Sequence, residues 1–378
     1  METPENPFVV KGYISPNYFC NRNKEVKKIK SAFTNGRNCT LFSVRKMGKT
    51  GTISHLFHQN KADISAYVEI FSTQNLAQFA NTLGKVVLPK IETQPRKLIR
   101  WVGHLFSGIR PSIQFDPVSG QPSLELGIRN EDQAFRSLEE IFNGIKNWGG
   151  SLWLALDEFQ QITQYPEKGT EAHLRSILQF CPNVKAIFSG SQRQLLTGMF
   201  TDYGRPFYQS TDIMELRPLD KSEYLDFIRH HFETGKRQFE PEVISDWLDR
   251  LHLHTYYVQL AMNRLYAAKP KKWKTRDFEL FFHDLLLDRQ PVYESIYQLL
   301  THLQWRLLEA IALEGRVAKP SGKDWLMKYK LGSASSVQAA LAAMEQREMV
   351  VPEESGYRLM DPFMEHWFKQ VYSVNAIF

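Results

Sequence analysis

Residues Phe42 to Thr50 read F-S-V-R-K-M-G-K-T, preceded by the apolar run Cys39, Thr40, Leu41 and followed by Ile53, Leu56 and Phe57. This order predicts a strand, a tight loop ending Gly-Lys-Thr, and the start of a helix. Such a loop can wrap a triphosphate in backbone N–H groups at a helix N-terminus, where the helix dipole also favours anions. Lys49 would reach the β- and γ-phosphates, and the Thr50 hydroxyl would hold Mg²⁺. Gly48 supplies the second glycine of the pattern G-x-x-x-x-G-K-[ST], whereas Ser43 stands where the first is expected. Ser43, Arg45, Lys46, Met47, Gly48, Lys49, Thr50 and Gly51 are therefore the expected nucleotide contacts. The same letters would also spell an ordinary turn, so the partners of the loop decide its meaning.

Two adjacent carboxylates, Asp157 and Glu158, follow the apolar run Leu152-Trp153-Leu154-Ala155-Leu156. Carboxylates at the end of a buried strand are costly unless they serve something, and the C-terminal ends of parallel strands are where ligands bind. Asp157 is then the natural Mg²⁺ carboxylate, and Glu158 the base that polarises an attacking water. A third apolar run, Val184 to Phe188, ends in Ser189-Gly190-Ser191-Gln192. Its small polar groups could touch a γ-phosphate or the lytic water, although Ser/Gly clusters also simply end strands.

These segments must be positioned by a sheet. From Asn21 to about Glu215, short apolar runs alternate with amphipathic ones, the pattern of a parallel sheet with helices on both faces. Expected strands are Cys39–Phe42, Ala66–Phe71, Leu152–Leu156, Val184–Phe188 and Ile213–Leu216. Expected helices are Lys24–Thr34, Gly51–Asn60, Leu76–Leu88, Asp132–Trp148 and Glu171–Cys181. The stretch 111–128 alternates apolar and polar residues around two turn signals and reads as an inserted β-hairpin.

After Pro218 the periodicity is helical, with helices expected over Lys221–Glu233, Pro241–Leu251, Thr255–Ala268 and Arg276–Leu300. From His302 it changes again. Helices Gln304–Ala312, Lys323–Tyr329 and a Ser-capped Ser335–Arg347, then strands Met349–Pro352 and Tyr357–Met360, make a winged helix-turn-helix, closed by a helix over Asp361–Val371. The expected architecture is α/β: a three-layer α/β/α parallel sheet over residues 1–217, an all-α lid over 218–300, and a winged helix over 301–378.

The ordered set resembles the archaeal-type ATPases, in the signal-transducing STAND branch of the AAA-like P-loop NTPases. The resemblance rests on Phe19, Asn21, Arg22 and Glu25, the Gly-Lys-Thr loop, Asp157-Glu158-Phe159, Ser189-Gly190-Ser191 and Tyr203-Gly204-Arg205. It continues through Leu216-Arg217-Pro218-Leu219 and His254-Thr255-Tyr256-Tyr257 to the winged helix, so it spans almost the whole chain. It implies an ATP- and Mg²⁺-binding, slowly hydrolysing switch whose nucleotide state controls the lid and the winged helix. It also implies that the Ser189 strand lies between the Gly-Lys-Thr strand and the Asp157 strand. Ser189 would be the polar sensor, Arg205 an arginine facing phosphate, and His254 a lid histidine near the nucleotide, although the usual His-Pro-Tyr reads His-Thr-Tyr here. The alternative is a non-hydrolysing, nucleotide-dependent module that binds DNA or protein.

Charge bears on that choice. The chain carries a net +6, with dense basic runs at Lys269 to Arg276 and through Lys90, Arg96, Lys97 and Arg100. Residues 301–378, however, hold nine basic and nine acidic side chains. The expected recognition helix has no Lys or Arg in its first two turns, the part that normally meets base edges. A protein partner is therefore favoured over DNA, and a nucleotide-dependent homo-oligomer remains open. The three cysteines are scattered, with no metal-ligand spacing, and no apolar run approaches the ~18 residues of a membrane span. These features, and a polar N-terminus without a signal-peptide core, predict a cytoplasmic protein.

Overall fold

A computed structural model describes residues 4–105, 112–115, 122–268, 273 and 275–375. The chain packs as two units. One, Arg22–Ser43 with Gly48–Arg217, carries the sheet; the other gathers Met1–Asn21, Val44–Met47 and Pro218–Phe378.

The sheet unit runs α1 (Asn23–Thr34), β1 (Asn38–Phe42), α2 (Lys49–Gln59), β2 (Ile64–Glu69), α3 (Leu76–Ile91), α4 (Pro95–Leu105), β3 (Ser112–Phe115), β4 (Pro122–Glu125) and α5 (Glu131–Trp148). It continues through β5 (Leu152–Asp157), α6 (Thr170–Gln179), β6 (Val184–Gly190), α7 (Arg193–Thr201) and β7 (Thr211–Glu215). Five strands form one parallel sheet in the order β2-β5-β6-β1-β7. The Ser189 strand thus lies between the Gly-Lys-Thr strand and the Asp157 strand.

Strand side chains alternate between two cores, as a sheet covered on both faces requires. Leu152, Leu154 and Leu156 join α3, α5 and α7 on one face, while Ala155 joins α1 and α2 on the other. The expected hairpin is present as antiparallel β3 and β4; its turn, 116–121, lies outside the described residues. Two helices were not foreseen. α4 reads as a basic surface run because its charges are dense, although its apolar face is real: Leu98 and Val102 are buried while Arg96, Lys97 and Arg100 are exposed. α7 hides behind the small-residue signal at the end of β6.

The second unit contains α8 (Lys221–Thr234), α9 (Pro241–Arg250), α10 (Thr255–Ala267), α11 (Thr275–Leu287), α12 (Gln290–Gln298), α13 (His302–Glu314), α14 (Lys323–Tyr329), α15 (Ala334–Gln346), β8 (Val350–Glu353), β9 (Gly356–Leu359) and α16 (Pro362–Asn375). A single aromatic-rich core runs through it, from Trp247 and Phe282 to Phe363 and Phe368. The N-terminal segment belongs to it: Phe8 is buried, and Asn6 and Asn263 exchange side-chain bonds with the backbone at Asn263 and Phe8.

The helix expected over Arg276–Leu300 is in fact two. Pro291 cannot donate an N–H and its ring clashes with the preceding turn, so the helix breaks and restarts with proline in the first turn of α12. The cap of α15 is also displaced, because Ser333 rather than Ser335 accepts from the Ser336 N–H. α13, α14, α15 and the β8–β9 wing, extended by a bridge between Val317 and Tyr357, make the winged helix. α13 starts with a reciprocal capping box between Thr301 and Gln304. Of the basic run 269–276, residues 269–272 and 274 lie outside the described residues.

Candidate nucleotide-binding site

The sheet unit builds the site at the C-terminal ends of its strands. Register places Leu41, Ser189, Asp157 and Glu69 level with one another across β1, β6, β5 and β2. The loop leaves β1 one residue later and enters α2 at Gly48, whose φ of 98° is a left-handed conformation that glycine adopts without strain. No side chain caps α2, so its first N–H groups and dipole face the loop. Ser43 has no positive φ; the left-handed residues of the loop are Lys46 and Gly48. The serine in place of glycine therefore costs no backbone strain here. Its buried hydroxyl lies 3.4 Å from the Lys49 ammonium, which is itself almost buried.

Asp157 is held through both oxygens. Ser189 donates to Oδ1 at 2.5 Å, and the Tyr67 phenol donates to Oδ2 in a short contact. The Tyr67 oxygen lies 3.2 Å from the Thr50 hydroxyl, so Thr50, Tyr67, Asp157 and Ser189 form one chain of hydrogen bonds. Burial and the neighbouring Asp157 charge push the Tyr67 phenol well above its ordinary range, so it remains a proton donor. Hydroxyl and carboxylate oxygens suit a hard dication such as Mg²⁺, which binds through few protein groups and keeps waters and phosphate oxygens.

Glu158 sits one residue beyond the strand in a left-handed conformation, φ 56°, ψ 42°. A non-glycine residue held there stores strain that the surroundings must overcome. Three bonds do so, all on Oε2: Gln160 Nε2 donates at 2.6 Å, the Ser191 N–H at 3.2 Å and the Ser191 hydroxyl at 3.1 Å. The carboxylate is thereby tied to the loop that follows β6.

The structure therefore brings Ser43 to Lys49, and Thr50 to Asp157 and Ser189 through Tyr67, with Glu158 next to Asp157 in the chain. Arg205 is placed elsewhere. It pairs with Glu171 at 2.7 Å at the start of α6, where burial raises the Glu171 carboxyl even as Arg205 opposes that shift. Sequence reasoning passed over Tyr67 and Gln160. The signal for Tyr67 was a polar-tipped aromatic two residues before the end of the strand that neighbours β5.

His254 and the residues Val44–Met47 belong to the helical unit. His254 is fully buried and donates Nε2–H to the Arg45 carbonyl at 3.0 Å. Thr255 donates to the Met47 carbonyl at 2.9 Å. The Lys46 ammonium lies over the Tyr256 ring, and Arg45 Nε is 3.6 Å from Glu348. The imidazole is pushed down to about 3, chiefly by burial, with the charges of Arg358 and Lys46 adding. A neutral ring bonded to a backbone carbonyl shapes the loop rather than offering a positive charge to phosphate.

Solved structures match this chain over nearly their whole length, among them the following two. The Walker-type ATPase paby2304 of Pyrococcus abyssi is 17% identical, with 96% of this chain and 99% of that chain covered at a TM-score of 0.63. The ORC2 protein of Aeropyrum pernix, in its ADPNP–ADP complexes, is 13% identical, with 98% of each chain covered at a TM-score of 0.58. The fold is that of a P-loop ATPase core with a winged helix. Residues 291–370 match the model of a probable winged helix domain. No curated protein sequence matches the chain.

Proposed function

We propose that this protein binds ATP with Mg²⁺ and hydrolyses it slowly, as a STAND-type switch whose nucleotide state controls its helical lid and winged helix. The observation that carries the reading is the hydrogen-bonded chain from Thr50 through Tyr67 and Asp157 to Ser189, beside an uncapped helix start bearing Lys49. On this reading the loop amides and Lys49 hold the phosphates, and Thr50 and Asp157 hold the metal, which supplies charge neutralisation on the phosphate oxygens. Glu158 orients the attacking water, with Ser191 and Gln160 fixing its carboxylate. The switch is supported by the bonds from His254 and Thr255 to the carbonyls of Arg45 and Met47, since a loop reshaped by nucleotide would disturb them. Ser189 serves as the sensor beside Asp157. Arg205 enters only if its pairing with Glu171 opens. Among the described residues no helix is long and apolar enough to cross a membrane.

The test is direct. Lys49→Ala should lower ATP–Mg²⁺ affinity by about tenfold or more, by removal of a charge-assisted phosphate contact. Glu158→Gln should keep binding and reduce turnover by about 100-fold or more. A Lys49→Ala protein that binds as tightly as the parent would sink the proposal. Absence of turnover in the parent under every condition, with binding intact, would favour the second reading: a nucleotide-dependent module presenting its winged helix to a protein or to DNA. The balanced charge of residues 301–378 favours protein in that role.

A further inference from the structure

We propose that Tyr67 is a positioning residue for the metal side of this site, setting the orientation of the Thr50 hydroxyl through a proton relay that ends on Asp157. The inference rests on the reading of Thr50 and Asp157 as the Mg²⁺-holding pair. A phosphate-loop hydroxyl and a strand carboxylate could pair directly; here a phenol stands between them.

The placement follows from the fold. β2 is an edge strand hydrogen-bonded to β5, with Glu69 level with Asp157 and Tyr67 level with Ala155. Alternation along β2 sends Ala66 and Val68 into the core under α3 and α5. Tyr67 takes the opposite face and packs against the cluster that includes Ile53 and Leu56 of α2. That face is where α2 begins, so the phenol tip arrives between Thr50 on the helix and Asp157 on the neighbouring strand.

Proton counting then fixes the direction of every bond. A carboxylate only accepts, so the single Tyr67 proton goes to Asp157 Oδ2. The phenol oxygen is left with lone pairs alone, and the bond to Thr50 must be donated by the threonine. The Thr50 oxygen is then committed to present lone pairs elsewhere, which is what a hard cation requires of a hydroxyl ligand. The same relay supports the Asp157 carboxylate on one oxygen while Ser189 supports it on the other. Partners that orient metal-holding groups are worth about 10–100-fold in metal affinity.

Tyr67→Phe removes the relay and keeps the ring that packs against α2. The readout is binding of a fluorescent ATP analogue to the full chain, first in excess EDTA and then during titration with Mg²⁺. Loss of the phenol should raise the Mg²⁺ midpoint by about tenfold and leave the EDTA affinity equal to that of the parent. A purely structural role would weaken both conditions together and overturn the assignment. So would a midpoint that stays in place, or one that falls, since the latter would mean the phenol competes with the ion. If the parent binds no nucleotide, or Lys49→Ala binds as the parent does, the site reading fails and the Tyr67 assignment with it. If binding depends on Lys49 but the midpoint ignores Tyr67→Phe, the Tyr67 assignment alone fails.

Discussion

Burial keeps the His254 imidazole neutral while its Nε2–H is tied to the Arg45 carbonyl, and that has a consequence for stability. In the unfolded chain the same ring takes up a proton near pH 6.5. Between about pH 6.5 and the folded value of about 3, the unfolded state therefore binds more protons than the folded one. Unfolding free energy must fall as pH falls through that window, at on the order of 1 kcal/mol per pH unit for this one group. His55, His231 and His366 are lowered in the same direction, each chiefly by burial, and add to the slope. Melting temperature should thus drop steadily from pH 7 to pH 5. His254→Gln, which keeps an amide donor for the carbonyl, should melt lower at pH 7 yet show a shallower pH dependence. Equal slopes for the two proteins would show that His254 is not proton-linked. The histidine itself was legible in the sequence at the start of a helix, but its partner was not. A backbone carbonyl more than two hundred positions away carries no letter, so the expected contact was phosphate and the observed one is the loop.

The ends of strands decide the chemistry at the next scale up. β6 stops at Gly190, and a Cβ placed there would collide with Gln160 Oε1 in the turn after β5. The first atom met is the tip of a flexible side chain, so an added Cβ displaces that tip, whose Nε2 reaches Glu158. Gly190→Ala should therefore push the amide away from the carboxylate, leaving its Oε2 with the two Ser191 bonds. Turnover should fall by about tenfold, the worth of one hydrogen bond to a charged group, with ATP affinity unchanged. Unaltered steady-state turnover in Gly190→Ala would separate Gln160 from catalysis. The strands themselves were easy to foresee, because strands buried on both faces read as short continuous apolar runs. The order Ser189 strand, then Gly-Lys-Thr strand, came from resemblance to a family. Helix breaks were harder: Pro291 falls within an unbroken helical periodicity, and its lost N–H and ring clash alone divide α11 from α12. The Glu158–Ser191 bond joins residues from two different strand ends, which no local pattern announces.

At the scale of the whole molecule, charge and architecture give different hints about DNA. The winged helix suggests it, yet a winged helix is read by its surface. Taking nine basic residues from the chain's 47 and nine acidic residues from its 41 leaves the full excess of +6 on residues 1–300. α15, the helix in the recognition position, begins Ala334-Ser335-Ser336-Val337-Gln338-Ala339-Ala340, and its first turn is spent on a serine cap rather than on basic side chains. On the preceding helix Lys328 is already paired with Glu314, at 2.5 Å. Affinity for duplex DNA comes largely from neutralising phosphates, and a protein that makes few such contacts binds in the range of roughly 10⁻⁴–10⁻⁶ M with a shallow salt dependence. Duplex DNA at low micromolar concentration should therefore leave ATP turnover within about twofold of its basal rate at 150 mM salt. Lys323→Glu with Lys330→Glu should change nothing further in that assay. The decisive measurement is the salt dependence of DNA binding by the full chain. A slope of log affinity against log salt steeper than about −5, made shallower by about 2 by those two substitutions, would mean that the winged helix neutralises phosphates after all. The partner class would then be nucleic acid, and the proposed switch would act on DNA rather than on protein.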